Sequence, residues 1–259
     1  MTNARRGWNL GIRLYGLAAI LLGVIGLVWD DFAAVWQPVP ESLGHRGALA
    51  CAAAILFLSA GVAVQWRKAR AWGGLTLGLL FMPYALLWLR RVIAFPERIG
   101  TWSGFGEQLA LVTAGLLAYE QFGEGGKSWR RTVASVCRWL FGLCFVSLAL
   151  VHFGALKETA ELVPKWMRGG PKFWAIATGV FHLMAGVAIG SGVQAKLAAR
   201  LLTTMIAIFG LFIWAPALAG SPRDHFVWCA NAVNLALLGA AWVAADWVRD
   251  RDSERKSVR

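Results

Sequence analysis

Long apolar blocks constrain this chain more than any other feature of its sequence. Eight blocks of about 16–21 residues carry few charges and are rich in Leu, Ala, Val, Ile, Phe and Trp. A helix rises about 1.5 Å per residue, so a block of this length spans the hydrocarbon core of a bilayer. We therefore predict an all-α fold, a polytopic transmembrane helical bundle with eight helices. The blocks lie near residues 10–29, 47–65, 72–89, 104–120, 136–154, 173–192, 199–218 and 226–246.

The composition leaves little room for a soluble domain. The 259 residues are 58% hydrophobic and 15% charged, whereas soluble domains carry about 25% charge. The 15 tryptophans are consistent with a bilayer, because indole rings favour its interface. The sequence has no Walker loop, zinc-ligand spacing, Ser-His-Asp pattern or Rossmann glycine motif. Any site is expected within the bundle or its short loops, and whether the protein is an enzyme is left open.

The net charge is +12, and the Lys and Arg residues lie mainly between the apolar blocks. This distribution indicates membrane topology rather than nucleic-acid binding. If the N-terminus is cytoplasmic and all eight helices span, most of the 26 Lys and Arg residues fall on the cytoplasmic side. The positive-inside rule then predicts that both termini are cytoplasmic. The expected partner of these charges is membrane lipid, and no nucleic acid is expected. No cleavage pattern follows the first apolar block, so we predict a retained helix.

The chain repeats itself at a spacing of about 125 residues. "LSAGVAV" at 58–64 matches "LMAGVAI" at 183–189, and Trp88 and Pro96 recur as Trp214 and Pro222. Each half holds four predicted helices, an even number, so the halves are expected to enter the membrane from the same side as two tandem repeats. The predicted units are a first repeat 1–120, a cytoplasmic linker 121–135, a second repeat 136–248 and a charged cytoplasmic tail 249–259.

The second half resembles the DoxX-like family of four-helix bacterial membrane proteins, over about residues 136–246. The resemblance is carried by His152-Phe153, Val163-Pro164-x-Trp166, Phe173-Trp174, Gly179-Val180, Gly186 and Ala199-Arg200-Leu201-Leu202. Family members often carry a glutamate soon after the Gly-Val pair, where this chain has Phe181-His182.

The resemblance implies a multi-pass protein of the bacterial inner (plasma) membrane. Some relatives are linked to thiosulfate oxidation with quinone as electron acceptor, and others to thiol-redox or oxidative-stress complexes. On that basis we expect a redox-associated subunit of a membrane redox complex that engages a quinone or a similar isoprenoid. The alternative is a carrier or scaffold for a lipid or small hydrophobic molecule, without redox chemistry.

His152 and His182 lie on consecutive predicted helices. Two facing histidines can hold a haem or a metal. However, His152 is expected near the outer edge, whereas His182 lies roughly 13 Å inside its helix. The depths therefore argue against a pair, and we expect no metal site. The remaining interpretations are a hydrogen-bonded core residue for His182, an interfacial residue for His152, or contact of either ring with a quinone headgroup.

Four other polar residues are candidate ligand contacts. Asn231 and Asn234 are three residues apart and share a face of the last helix, where they either contact a ligand or join helices. Arg90 and Arg91 end the third helix, where they either meet an anion or lipid phosphate or simply reach water. Glu107 is expected to reach water or to pair with these arginines.

Two prolines interrupt predicted helices. Pro83 lies in the third block and Pro216 in the seventh. Proline removes a backbone hydrogen bond from a helix, so both are expected to kink their helices and to open a cavity between them.

Overall fold

The computed structural model describes residues 9–123 and 128–257, with side chains to residue 251. Within these ranges the regular elements are all helical, which confirms the all-α fold class. The helices are α1 Leu10–Trp29, α2 Arg46–Ala63, α3 Arg70–Ala94, α4 Ile99–Phe122, α5 Ser128–Gly154, α6 Leu156–Glu161, α7 Pro171–Ser191, α8 Ala195–Phe209, α9 Ala215–Gly220 and α10 His225–Ser257.

Seven helices of the described chain are long and apolar enough to cross a membrane. They are α1, α2, α3, α5, α7, the continuous stretch Ala195–Gly220 formed by α8 and α9, and α10 as far as Arg251. The predicted block 104–120 is also helical, within the 24-residue α4. Its glycines and the pair Glu107-Gln108 lower its mean hydropathy, so it is not one of the seven. The eighth membrane span remains a prediction.

The helices pack so that the two halves of the chain meet along their first and last helices. Helix α1 packs against α2 and α10, while α4 packs against α3, α5 and α10. Helices α7 and α8 complete the second half against α5 and α10 respectively. Gly11 lies against the backbone of Trp242 and Val243, whereas Trp29 stacks on His225 with ring centroids 5.1 Å apart. The first and last described helices are therefore antiparallel, and the two described ends of the chain lie at one end of the bundle.

Closely packed glycines set the distance between α5 and α7. A Cβ added to Gly142 would lie 2.5 Å from the carbonyl oxygen of Gly186, and one added to Gly186 would lie 2.6 Å from that of Gly142. Gly16 and Gly61 make the same mutual contact between α1 and α2, at 2.8 and 2.6 Å. Small residues let helix backbones approach closely in a membrane, where van der Waals packing drives association.

The segment between α5 and α7 turns the chain through a short helix. Helix α6 covers Leu156–Glu161 and ends before Pro164. Gly169 and Gly170 then adopt φ angles of +95° and +82°, which favour glycine, and Pro171 begins α7. This arrangement places α6 and the following loop over one end of the second half.

The helices run into the predicted linker and tail. Helix α4 extends to Phe122 and α5 begins at Ser128, so the helices enter the linker 121–135 from both sides. Its residues 124–127 lie outside the described chain. Across the halves, Glu120 accepts hydrogen bonds from Trp247 Nε1 and Arg251, both at 2.7 Å. These bonds tie α4 to α10 at the end of the bundle that holds the chain ends.

We predict that Gly142→Ala destabilises the protein. The added Cβ cannot fit against the Gly186 carbonyl unless α5 and α7 move apart, and overpacking of this kind costs about 1–3 kcal/mol. Thermal unfolding of the purified protein in one detergent measures the effect. Gly220→Ala is the matched control, because its Cβ meets no atom within 4 Å. Equal stability of the two variants would contradict the interpretation that the contact between Gly142 and Gly186 sets the distance between α5 and α7.

Candidate functional site: a membrane-embedded cavity

A cavity of about 740 Å³ lies within the second half of the bundle. Helices α5, α7, α8 and α10 line it, together with α6 and the loop that follows α6. Most of the lining is apolar, and the polar groups are few: Ser103, Glu107, His152, Thr159, Thr178, His182, Gln194, Thr204 and Asn234. A large apolar cavity with a few polar side chains is the usual form of a small-molecule site.

An irregular helix forms one wall of this cavity. Helix α8 passes into a π-helical turn, Gly210–Trp214, before Pro216 in α9. Proline cannot donate a backbone hydrogen bond, and a π-turn is one way a helix accommodates such an interruption. Phe209 and Phe212 of this stretch line the cavity. The helix is thus irregular next to Pro216, whereas Pro83 lies inside the continuous helix α3. The kinks expected at both prolines remain predictions.

The predicted repeat relates this cavity to an aromatic cluster in the core of the first half. In the first half, Phe57 packs against Phe81 and Tyr84 with ring centroids 4.9 and 6.2 Å away. At the repeat spacing of 126 residues, Phe81 and Tyr84 correspond to Ala207 and Gly210. On this predicted alignment, the second half has small residues where the first half has aromatic rings.

His152 and His182 are in contact, and the depth argument against a pair was wrong. Their ring centroids lie 4.9 Å apart. Side chains on a helix tilt toward its N-terminus, so the His182 ring reaches back toward the level of His152. Gly179 makes room for this approach, because a Cβ there would lie 2.7 Å from the His152 Cβ.

The two rings differ in their hydrogen bonds. Nδ1 of His152 lies 3.1 Å from the carbonyl oxygen of Ala175 and 3.1 Å from Oγ1 of Thr178. A carbonyl oxygen only accepts, so this contact places the His152 proton on Nδ1 and leaves Nε2 as an acceptor. His182 is 5% exposed, and its buried Nδ1 has no hydrogen-bond partner of normal geometry among the described residues.

This arrangement can bind a polar group that enters the cavity. The two imidazole rings lie together among the few polar groups of an otherwise apolar lining, so a polar group that enters the cavity has both rings at one position. Phe145 and Phe209 flank the His182 ring at centroid distances of 5.8 and 6.1 Å. Within the described part of the chain, no three His, Cys, Asp or Glu side chains group as metal ligands.

Glu107 lies in α4 of the first half and also lines the cavity. Its carboxylate accepts hydrogen bonds from Trp36 Nε1 at 2.9 Å and from Ser103 Oγ at 3.4 Å, and all three residues line the cavity. The expected ion pair with Arg90 or Arg91 does not form, because Glu107 faces the cavity and both arginines are exposed. Its position among apolar residues of a membrane helix was the signal that could have identified it.

Arg90 and Arg91 lie outside the cavity lining. The guanidinium of Arg91 lies over the ring of Trp88, 4.9 Å from its centroid. Anion or lipid-phosphate binding by these two residues remains a prediction.

The two asparagines join α10 to the irregular helix. Asn231 donates Nδ2 to the carbonyl oxygens of Trp214 and Val227, both at 2.9 Å. Asn234 donates Nδ2 to the carbonyl oxygen of Ile206 at 3.3 Å. Asn234 also lines the cavity, whereas Asn231 does not. Both side chains therefore join helices, which was one of the two roles expected for them. Asn234 is also placed to contact a ligand.

A protein-family model matches the segment of the chain that contains most of the cavity helices. Residues 133–218 match the model of the DoxX family, which confirms the resemblance stated for the second half. The matched segment includes His152, His182 and the π-turn, whereas Glu107, Asn231 and Asn234 lie outside it. No curated protein and no solved structure matches the chain significantly. The described chain thus combines seven helices of membrane-spanning length with one segment, residues 133–218, that is similar to the DoxX family.

We predict that Asn231→Leu destabilises the protein but leaves ligand binding intact. The substitution removes the bond to the Trp214 carbonyl, and polar contacts between membrane helices contribute about 0.6–1.7 kcal/mol. Thermal unfolding measures the loss of stability, and ligand content after purification measures binding. Asn234→Leu is the comparison, because that residue also lines the cavity. If Asn231→Leu lost the ligand and Asn234→Leu kept it, the placement of Asn234 inside the cavity lining and of Asn231 outside it would be contradicted.

Proposed function

We propose that the protein is a redox-associated membrane subunit that binds a quinone or a similar isoprenoid in the cavity. The observation that carries this proposal is the contact of His152 with His182 inside a large apolar cavity of the DoxX segment. An isoprenoid chain requires an apolar volume, and a quinone headgroup requires hydrogen-bonding groups at one position within it. The cavity has both features.

The residues divide into two roles under this proposal. Apolar side chains of α8 and the π-turn surround the chain of the ligand. His152 and His182 meet its headgroup, and their imidazole rings form hydrogen bonds to its carbonyl or hydroxyl oxygens. A bound quinone would supply electron transfer, while imidazole rings can pass protons to and from the headgroup. Glu107 and Asn234 are further polar contacts.

We further propose that the two halves are tandem repeats in the bacterial inner membrane, with both termini cytoplasmic. The distribution of Lys and Arg supports this orientation. Matching hydrogen bonds support the repeat: Trp102 Nε1 donates to Pro96 O and Trp228 Nε1 donates to Pro222 O, each at 2.9 Å. Contact of α1 with α10 and of α4 with α5 is also what two related halves would produce. Proposed partners are membrane lipid and a membrane redox complex, without nucleic acid.

A second candidate function is that of a carrier or scaffold for a lipid or small hydrophobic molecule. Three residues that line the cavity are also exposed on the helix surface, Met184 by 62%, Leu201 by 56% and Phe212 by 41%. The cavity therefore opens sideways between helices, toward the position of the lipid chains. A hydrophobic molecule could enter from the bilayer and leave without reacting.

Ligand content distinguishes the two functions. We expect mass spectrometry of an organic extract of the purified protein to find a near-stoichiometric quinone, enriched over empty membranes carried through the same detergent steps. One enriched lipid without quinone would instead favour the carrier. Only bulk lipid in control proportions would contradict both.

We predict that Ala188→Trp reduces this bound ligand about tenfold, since filling the cavity at a cost of 1.4 kcal/mol corresponds to a factor of ten. Ala188 lines the cavity. Val187→Trp is the matched control, because the neighbouring Val187 is 55% exposed and does not line it. An equal ligand content in the two variants would place the ligand elsewhere.

We predict that His182→Phe keeps the fold and weakens ligand binding about fivefold, because one hydrogen bond of about 1 kcal/mol is lost. Phenylalanine is the residue at the matching position of the first half, Phe57. The unchanged melting temperature and the reduced ligand content would be measured on the same sample. Full ligand retention by this variant would remove His182 from the site.

A further inference from the structure

A second cleft lies on the outer side of the cavity wall. It is formed by α6, the loop after α6 and the first residues of α7, at the end of the bundle opposite the described chain ends. Its lining residues are Leu156, Lys157, Ala160, Glu161, Val163, Lys165, Pro171 and Lys172. None of the predicted or proposed ligand contacts lies in this cleft.

Positive charge dominates the cleft. Lys157, Lys165 and Lys172 come from three successive segments and converge on it, whereas Glu161 is the one acidic lining residue. Among the described residues, none of these four side chains forms an ion pair. Like charges repel, so bringing three lysines together favours a bound anion between them.

The same segment exposes large apolar side chains beside the lysines. Leu162 is 50% exposed, Trp166 66% and Phe173 56%. Alternation of lysines with exposed aromatic and aliphatic residues is typical of a segment at a membrane interface, where Lys side chains extend toward the headgroups and Trp lies at their level. The cleft is therefore placed where lipid headgroups lie.

The cleft and the cavity share a wall but face in different directions. Val163 lines both. Leu162, Pro164 and Met167 face the cavity, while the lysines of the same segment face the cleft. Occupation of the cleft thus does not require occupation of the cavity.

The geometry points to a binding site for the phosphate of an anionic phospholipid in this cleft. Lys157, Lys165 and Lys172 contact the phosphate oxygens, and the acyl chains lie along Trp166 and Phe173. An anionic headgroup neutralises the excess of lysines, and the exposed apolar side chains give the chains a surface that free phosphate cannot use. This inference is independent of the molecule that fills the cavity.

The test is native mass spectrometry of the full-length protein in detergent with added phosphatidylglycerol or phosphatidylcholine of identical acyl chains. We expect the wild-type protein to prefer phosphatidylglycerol, and the variant K157Q/K165Q/K172Q to bind it roughly tenfold more weakly. The matched control is R67Q/K68Q/K196Q, which removes the same charge at the other end of the bundle. Gel-filtration profiles establish that both variants are folded.

Two outcomes would overturn the inference. If the cleft variant kept the lipid preference, or the control variant lost it equally, the lysines of the cleft would not be the site. If inorganic phosphate at the same concentration displaced the lipid, the cleft would bind free phosphate rather than a lipid headgroup. Retention of the cavity ligand by the cleft variant is expected, and it separates failure of this inference from failure of the proposed function.

Discussion

The close contact between the backbones of α5 and α7 is the constraint on which the site depends. Gly142 and Gly186 leave no room for a side chain between these helices. The same approach continues to the other end of α5, where Gly179 admits the side chain of His152. Because the backbones are this close, two imidazole rings from different helices come into contact and form one polar position at the edge of an apolar cavity.

The cavity is the product of absent side chains and an irregular backbone. On the predicted repeat alignment, Phe81 and Tyr84 of the first half correspond to Ala207 and Gly210 of the second. The π-turn then redirects the helix next to this open volume, and Asn231 accommodates it by donating to the Trp214 carbonyl. In a bilayer, irregular backbone is tolerated where other groups of the protein satisfy it.

The sequence predicted well the features that depend on local physics. Apolar block length predicted the long helices, and Pro216 predicted an interruption of its helix, where the structure has a π-helical turn. It predicted poorly the features that depend on how helices tilt and face. Depth counted in residues separated His152 from His182, and Glu107 was expected to reach water or to pair with Arg90 or Arg91. Residue counting measures position along one axis only, whereas contact also depends on rotation about it.

The sequence by itself determined the class of protein. The length of each apolar block matches the thickness of a bilayer, and the charged residues lie outside these blocks, as the polarity of a bilayer requires. It also determined the family resemblance of the second half, through residues close together in the chain. Only the tertiary structure decided which polar groups share a site. Glu107 and His182 come from different halves, and they line one cavity because helix packing sets the rotation and spacing of each helix, which no single helix specifies alone.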